Sequence, residues 1–211
     1  MRLTQEQLHA ALVERHGADI QQKLDRAAVG IAGLGGLGSN IAVFLARLGV
    51  GRLVLVDFDT VEVSNLNRQH YTMGDLGRPK ADALRDQLVE INPYLNYETY
   101  TARVTPENAP QLFADCDVVC EAFDRADQKA MLIETLLAHL PDTPIVSGSG
   151  MAGCGSANAI RTERRFTRLY LCGDGTSDIA DGVGLMAPRV AVCAAHEATM
   201  VLRLLLGYTE P

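Results

Sequence analysis

Val29-Gly-Ile-Ala-Gly-Leu-Gly-Gly-Leu-Gly-Ser-Asn40 decides the fold. The apolar run from Val29 to Ala32 reads as a buried strand. Three glycines follow, Gly33, Gly35 and Gly38, in the spacing G-x-G-x-x-G. Ile41-Ala-Val-Phe-Leu-Ala-Arg-Leu48 then carries helical periodicity. The stretch is therefore strand, tight turn, helix. Gly33 takes the turn's backbone angles, Gly35 lets a phosphate approach the main chain, and Gly38 lets helix and strand pack closely. The free N–H groups at the helix start attract an anion. A second apolar run, Arg52-Leu-Val-Leu-Val-Asp57, closes a βαβ unit. Asp57 falls about 20 residues past the last glycine, where an acidic residue holds ribose hydroxyls. These features specify a nucleotide site but not which nucleotide.

Outward from this unit, strands continue to alternate with helices. Thr4 to Glu14 reads as an amphipathic helix with Thr4 as N-cap and Gln7 completing the cap. A second helical stretch, Asp19 to Asp25, completes an arm over residues 1–27 that packs on the core or on a partner subunit. Pro79 suits the first turn of a helix running to Ile91. Tyr94 to Arg103 reads as a strand and Pro106 to Ala114 as a short helix. Asp117 to Phe123 and Pro144 to Ser147 read as buried strands flanking a helix from Asp127 to Leu140. Ala157 to Arg161 reads as a further strand, Arg161 to Arg168 as a hairpin tip, and Leu169 to Cys172 as its return. Cys172 to Gly184, with three aspartates, reads as a mobile or ligand-ordered loop. The last helix starts at Ala187 and runs to Leu206, before Gly207.

The expected fold is α/β: a doubly wound, Rossmann-like, mainly parallel sheet with antiparallel strands at one edge. One domain spans 1–211: the arm, a nucleotide-binding core over 28–147, and a C-terminal part over 148–211.

The chain has 211 residues and a net charge of −7, from 19 basic against 26 acidic residues. That balance argues against a general nucleic-acid or anionic-membrane binder. No apolar run reaches the roughly 20 residues of a membrane span. Met1-Arg-Leu-Thr-Gln-Glu does not read as a signal peptide, so the expected setting is cytoplasmic. The five cysteines form no Cys-x-x-Cys pair and read as reduced thiols, with Cys116 and Cys120 buried.

A G-x-G-x-x-G motif alone also fits a nicotinamide-dependent oxidoreductase. The polar segment from Asp59 to Gly77 tells against that reading. Asn65, Arg68 and Gln69 lie close together, and Lys80 opens the next helix. Two cations and an amide beside a helix-terminal anion site suit a triphosphate. Asp124, at the carboxyl end of a buried strand, is where open α/β sheets place ligands. A single carboxylate beside phosphate oxygens and water is enough for Mg²⁺. Each residue also has a plainer reading. Arg68 and Lys80 could be solvated charges, Asp124 a helix cap, Asp59 a turn residue, and Asn65 the shaper of an Asx-turn.

Gly33-Leu-Gly-Gly-Leu-Gly-Ser39, Gly49-Val-Gly-Arg-Leu-Val-Leu-Val-Asp-Phe-Asp59, Ser64-Asn-Leu-Asn-Arg-Gln69, Lys80 and Ile91-Asn-Pro93 together resemble the ThiF/MoeB/ubiquitin-activating-enzyme superfamily. Gly148-Ser-Gly-Met-Ala-Gly153, Tyr170-Leu-Cys-Gly-Asp174 and Gly184-Leu-Met-Ala-Pro-Arg189 resemble its short ThiF-like branch, associated with thiamine biosynthesis. The resemblance implies ATP-dependent adenylation of the C-terminal glycine of a small ubiquitin-like sulfur carrier ending in Gly-Gly, with release of pyrophosphate. It implies that Gly33, Gly35 and Gly36 cradle the phosphates, that Asp57 holds the ribose, and that Asp59 belongs to the nucleotide-binding set. It also implies that Asn65, Arg68, Gln69 and Lys80 contact phosphate, with Arg68, Lys80 and Asp124 catalytic and Asp124 holding Mg²⁺. A homodimer is the family expectation. The zinc-binding Cys-x-x-Cys pairs of longer members are absent, so no zinc is expected. The usual N-terminal arginine motif that reaches a partner subunit's site is unmatched, which leaves Arg15 as a positional candidate. Cys172 reads as a partly buried strand residue rather than a sulfur-transfer group, and His70 and His196 as structural. Alternatives carried alongside are a molybdopterin-type carrier, a tRNA-linked carboxylate, and a nucleotide-binding scaffold without turnover.

Overall fold

A computed structural model describes residues 3–211. Met1 and Arg2, which open the segment read above as no leader, lie outside the described residues. Seven strands form one sheet: β1 (Ala28–Ala32), β2 (Arg52–Val56), β3 (Asn96–Tyr100), β4 (Val118–Glu121), β5 (Ile145–Gly148), β6 (Arg161–Phe166) and β7 (Leu169–Gly173). Their order is β3-β2-β1-β4-β5-β7-β6. Every pairing is parallel except β6 with β7. The sheet reverses direction of winding between β1 and β4, which opens a crevice at the carboxyl ends of the strands.

Alternation along the strands divides the core. Leu53 and Leu55 face one layer, while Val54 and Val56 face the other. The first layer is covered by α3 (Gly36–Leu48), α4 (Lys80–Ile91) and α7 (Ala187–Leu205); the second by α5 (Ala109–Leu112) and α6 (Ala126–His139). Burial on both faces explains why β1, β2, β4 and β5 read as continuous apolar runs.

The arm consists of α1 (Gln5–His16) and α2 (Ala18–Arg26). Thr4 and Gln7 make the expected reciprocal cap on α1. The arm packs on its own core. Leu24 is fully buried, and the Gly51 amide donates to the Leu24 carbonyl at 2.9 Å. Arg15 is exposed on the last turn of α1.

The C-terminal part departs from expectation. Ala157–Ala159 is a single 3-10 turn, not a strand. The charged stretch expected to be a hairpin tip is itself β6, Arg161-Thr-Glu-Arg-Arg-Phe166. As an edge strand it has only one neighbour and a mainly solvated surface, so it carries no apolar alternation to find, and edge charges block further pairing. The helix expected over Pro106–Ala114 is confined to Ala109–Leu112.

Candidate functional site

A cleft of about 420 Å³ opens where the sheet reverses, lined by the ends of β1, β2, β4, β5 and β7 and the segments after them. Gly33 sits at φ +89, and a Cβ there would lie 2.9 Å from the Ala122 carbonyl oxygen. A Cβ on Gly38 would come within 1.8 Å of the Gly33 carbonyl oxygen. Gly38 lets α3 start hard against β1, and Gly33 lets the turn pass close to the end of β4. Gly35 differs. The nearest atom to a Cβ built there is Gln69 Nε2 at 3.7 Å, so that position faces the cleft. Gly35 caps α3 without a side-chain bond, which leaves the first-turn amides free for an anion.

Asp57 holds this turn in place. Its Oδ2 accepts from the Leu34 amide at 2.6 Å and its Oδ1 from the Asp59 amide at 2.8 Å. Burial pushes its carboxyl above the usual range, offset in part by Lys80 and the two amides. Asp59 has the more open carboxylate and accepts from Lys80 Nζ at 3.1 Å. Lys80 is buried, with its own amide donating to the Asp59 carbonyl at 2.9 Å. Tyr71 Oη donates to the carbonyls of Leu34, at 2.9 Å, and Lys80, at 3.4 Å, which ties the glycine turn to the start of α4.

The segment after β2 is anchored to α3 by two residues to which the sequence reading gave no role. Ser39 Oγ accepts from the His70 amide at 3.0 Å, and Asn40 Nδ2 donates to the Arg68 carbonyl at 3.2 Å. Arg68 and Gln69 thereby line the cleft beside Gly35 and Gly36. Arg68 Nη1 donates to the Ser64 carbonyl and Asn67 Oδ1. Its Nε is buried without a partner among the described residues, as is Gln69 Oε1. Asp124 is exposed at the end of β4 and lines the same cleft. Asn65 alone of the expected residues is absent from the cleft wall. Its Oδ1 accepts from the Glu62 amide, three residues back, at 3.0 Å and caps a 3-10 turn, a local role but not the Asx-turn of the plainer reading.

Several lining residues went unread in the sequence. Lys129 Nζ bonds Glu121 Oε2 at 2.8 Å and the Phe123 carbonyl at 2.9 Å. Glu121 is fully buried and also accepts from Ser147 Oγ and the Phe123 amide. This network fixes the turn that presents Asp124. Arg103 lies 4.0 Å over the Phe58 ring on the other flank. Phe58 had a signal, an aromatic between Asp57 and Asp59; Lys129 and Arg103 had none, since nothing in their local sequence states what they will bond.

Cys172 is fully buried and its thiol pushed upward by burial, with Glu197 adding to the shift. Cys120 and Cys193 are buried likewise, and burial raises Cys116 to about 12. His196 bonds Thr162 and His70 bonds Gln87. Among the described residues no group of three or more His, Cys, Asp or Glu is placed to hold a metal, and no helix is long and apolar enough to cross a membrane.

The orphaned Arg68 Nε, the Gln69 Nε2 donor beside the open position at Gly35 and the uncapped start of α3 fit a phosphate chain. The lone exposed Asp124 fits a cation shared with phosphate oxygens.

Comparison with known proteins gives a consistent result. The model of the ThiF family matches residues 6–211. A molybdopterin-synthase adenylyltransferase of Salmonella typhimurium is 32% identical over 197 residues, covering 90% of this chain and 78% of that protein. A sulfur carrier protein adenylyltransferase of Thermus thermophilus is 37% identical over 154 residues, covering 71% of this chain and 56% of that protein. An adenylyltransferase and sulfurtransferase uba4 of Emericella nidulans is 32% identical, and the match spans 94% of this chain but 44% of the relative. The chain thus matches less than half the length of that relative. In fold it is similar to the ATP complex of Escherichia coli tRNA N6-threonylcarbamoyladenosine dehydratase, with a TM-score of 0.86 at 21% identity over 98% of this chain and 97% of that one.

Proposed function

The chain belongs to the ThiF family, and from that premise we propose that it is an ATP-dependent adenylyltransferase. Its acyl substrate is the C-terminal glycine carboxylate of a small ubiquitin-like sulfur carrier ending in Gly-Gly, and the thiamine-type carrier is the leading candidate. One observation carries the reading: Gly35, Gly36, Arg68, Gln69, Lys80 and Asp124 share one cleft. The relatives named as sulfur carrier and molybdopterin-synthase adenylyltransferases support a protein carrier as substrate.

Gly33, Gly35, Gly36 and the first amides of α3 take the phosphates of ATP. Asp57 acts through the turn it clamps. Asp59, the more open carboxylate of the pair, serves the ribose. A carboxylate oxygen of the carrier forms a bond to the α-phosphorus, and the bond from that phosphorus to the bridging oxygen breaks. Pyrophosphate leaves with the electron pair. Arg68 and Lys80 stabilise the charge that develops on the phosphoryl oxygens, at fixed positions in a partly dry site. Lys80 is already buried and held by Asp59, so little reorganisation is needed at the moment of reaction. Asn65 contributes by shaping the segment that delivers Arg68. Mg²⁺, when bound at Asp124, would neutralise phosphate charge. A homodimer in the cytoplasm belongs to this proposal, with the exposed Arg15 as the positional candidate for a residue reaching the partner subunit's site.

The test is ATP–pyrophosphate exchange across a panel of thiamine-type and molybdopterin-type carriers. Exchange should require a carrier with an intact terminal Gly-Gly. Arg68→Ala should lower it by about 10²-fold or more, the scale for loss of one charge-stabilising donor, with the fold intact by circular dichroism. Absence of exchange with every carrier refutes the activity; unchanged exchange in Arg68→Ala removes that residue from the site.

A further inference from the structure

Two loops flank the cleft opposite the nucleotide wall. One follows β5 and contributes Ser149, Gly150 and Met151; the other follows β7 and contributes Gly175, Thr176 and Ser177. They interlock through the backbone. The Asp174 amide donates to the Gly150 carbonyl at 2.9 Å, and the Gly175 amide to the Ser149 carbonyl at 3.0 Å. A Cβ on Gly173 would lie 1.7 Å from the Ser149 carbonyl oxygen, and one on Gly150 2.2 Å from Asp174 Oδ1. Only glycine permits this contact.

One side chain joins both loops to the helix behind them. Arg189, in the first turn of α7, is 6% exposed. Its Nη1 donates to the carbonyls of Gly155, at 2.6 Å, and Ser156, at 2.7 Å, on the first loop. Its Nη2 donates to Asp174 Oδ2 on the second. Asp174 Oδ1 in turn accepts from the Thr176 and Ser177 amides, both at 2.8 Å. The guanidinium fork spans partners that a single ammonium could not hold together. Ser177 Oγ, at the end of this chain of bonds, is buried without a partner among the described residues.

Sheet order assigns the two flanks different ligands. The glycine turn follows β1, and Asp59 follows β2. The interlocked loops follow β5 and β7, two and three strands from β1. At the usual strand spacing that places them roughly 10–15 Å away along the sheet. On the adenylation reading the nucleotide lies on the β2-β1-β4 side, so the group that attacks it enters from the β5-β7 side. Resting on the adenylation reading above, we infer that Arg189, through Asp174, is a positioning residue for the acyl substrate and not for the nucleotide: it sets the spacing of the two loops between which the carrier's tail lies.

Arg189→Ala and Asp174→Asn test this. Asp174→Asn keeps the Oδ1 acceptor for the two amides but leaves an amide group facing Arg189. Hydrogen–deuterium exchange on the protein alone should quicken at residues 149–156 and 174–178, with the protection of β1 and α3 unchanged. In the exchange assay the KM for the carrier should rise about tenfold, and the KM for ATP should stay within about twofold, because a displacement of about an ångström at the acyl side is enough to lose that much. Unaltered deuterium uptake overturns the strut. Faster uptake with both KM values rising together overturns the division between acyl and nucleotide sides. A wild-type protein inactive with every carrier counts instead against adenylation, and the deuterium uptake still decides whether Arg189 holds the loops.

Discussion

Alanine at Gly35 and alanine at Gly38 should fail in opposite ways, although the two sites lie three residues apart in one motif. At Gly38 the new Cβ lies 1.8 Å from the Gly33 carbonyl oxygen and 3.1 Å from Ile31 Cγ2. Non-bonded heavy atoms prefer separations of about 3.5 Å, so the start of α3 must move away from β1 by more than about an ångström. Overpacking of that kind costs about 1–3 kcal/mol or more, which at about 2–4 °C per kcal/mol lowers Tm by roughly 2–12 °C. At Gly35 the new Cβ meets only Gln69 Nε2, at an ordinary 3.7 Å. Alanine is a poorer N-cap than glycine but restricts the unfolded chain more, and these effects oppose each other at about 0.5–1 kcal/mol each. Tm should therefore shift by no more than about 4 °C. Yet this Cβ points into the cleft where phosphate oxygens approach the backbone, so nucleotide binding should be lost. Calorimetric melting with and without ATP separates the two. Gly35→Ala should melt like wild type without ATP and gain nothing from it; Gly38→Ala should melt lower in both. A Gly35→Ala protein that ATP still stabilises would refute the phosphate path, and a Gly38→Ala protein with wild-type Tm would refute the close-packing argument.

Glu197 is fully buried on α7 with Oε2 unpartnered among the described residues, and burial raises its carboxyl well above the usual range despite Lys129. Its folded pKa exceeds its unfolded one, so its contribution is full below about pH 4.5 and falls as pH rises from there, by up to about 1.4 kcal/mol per unit. Glu197→Gln should thus stabilise the protein increasingly between pH 5 and 8, and a Tm difference independent of pH would show that Glu197 is charged in the fold. Asp124→Asn should raise the Mg²⁺ concentration needed for half-maximal exchange by about tenfold, as loss of a carboxylate weakens a hard-cation site; an unchanged Mg²⁺ titration would remove Asp124 from the metal.

Sequence alone determined the winding of the sheet, the glycine turn and the residues of the cleft wall nearest that turn. Those signals are local. G-x-G-x-x-G encodes one turn and its packing, and continuous apolar runs encode strands buried on both faces. Arg68, Gln69 and Lys80 were legible because they follow β2 directly, so chain connectivity alone carries them to the strand ends. Asn65 shows the limit of that logic: it shares the segment, but its amide closes a local turn. β6 was misplaced because a solvated edge strand carries charges where a core strand carries alternation.

Only the tertiary structure decided the other half of the cleft. Lys129 meets Glu121 eight positions back, across a turn, and Arg189 meets Asp174 and Gly155 from a different element. The first depends on how the turn after β4 folds α6 back on its strand, the second on β7 lying beside β5, and an arginine in a sequence does not state what it will hold. The glycine turn needs nothing beyond its own neighbours to be read. The loops that face it become a site only when β7 is laid beside β5.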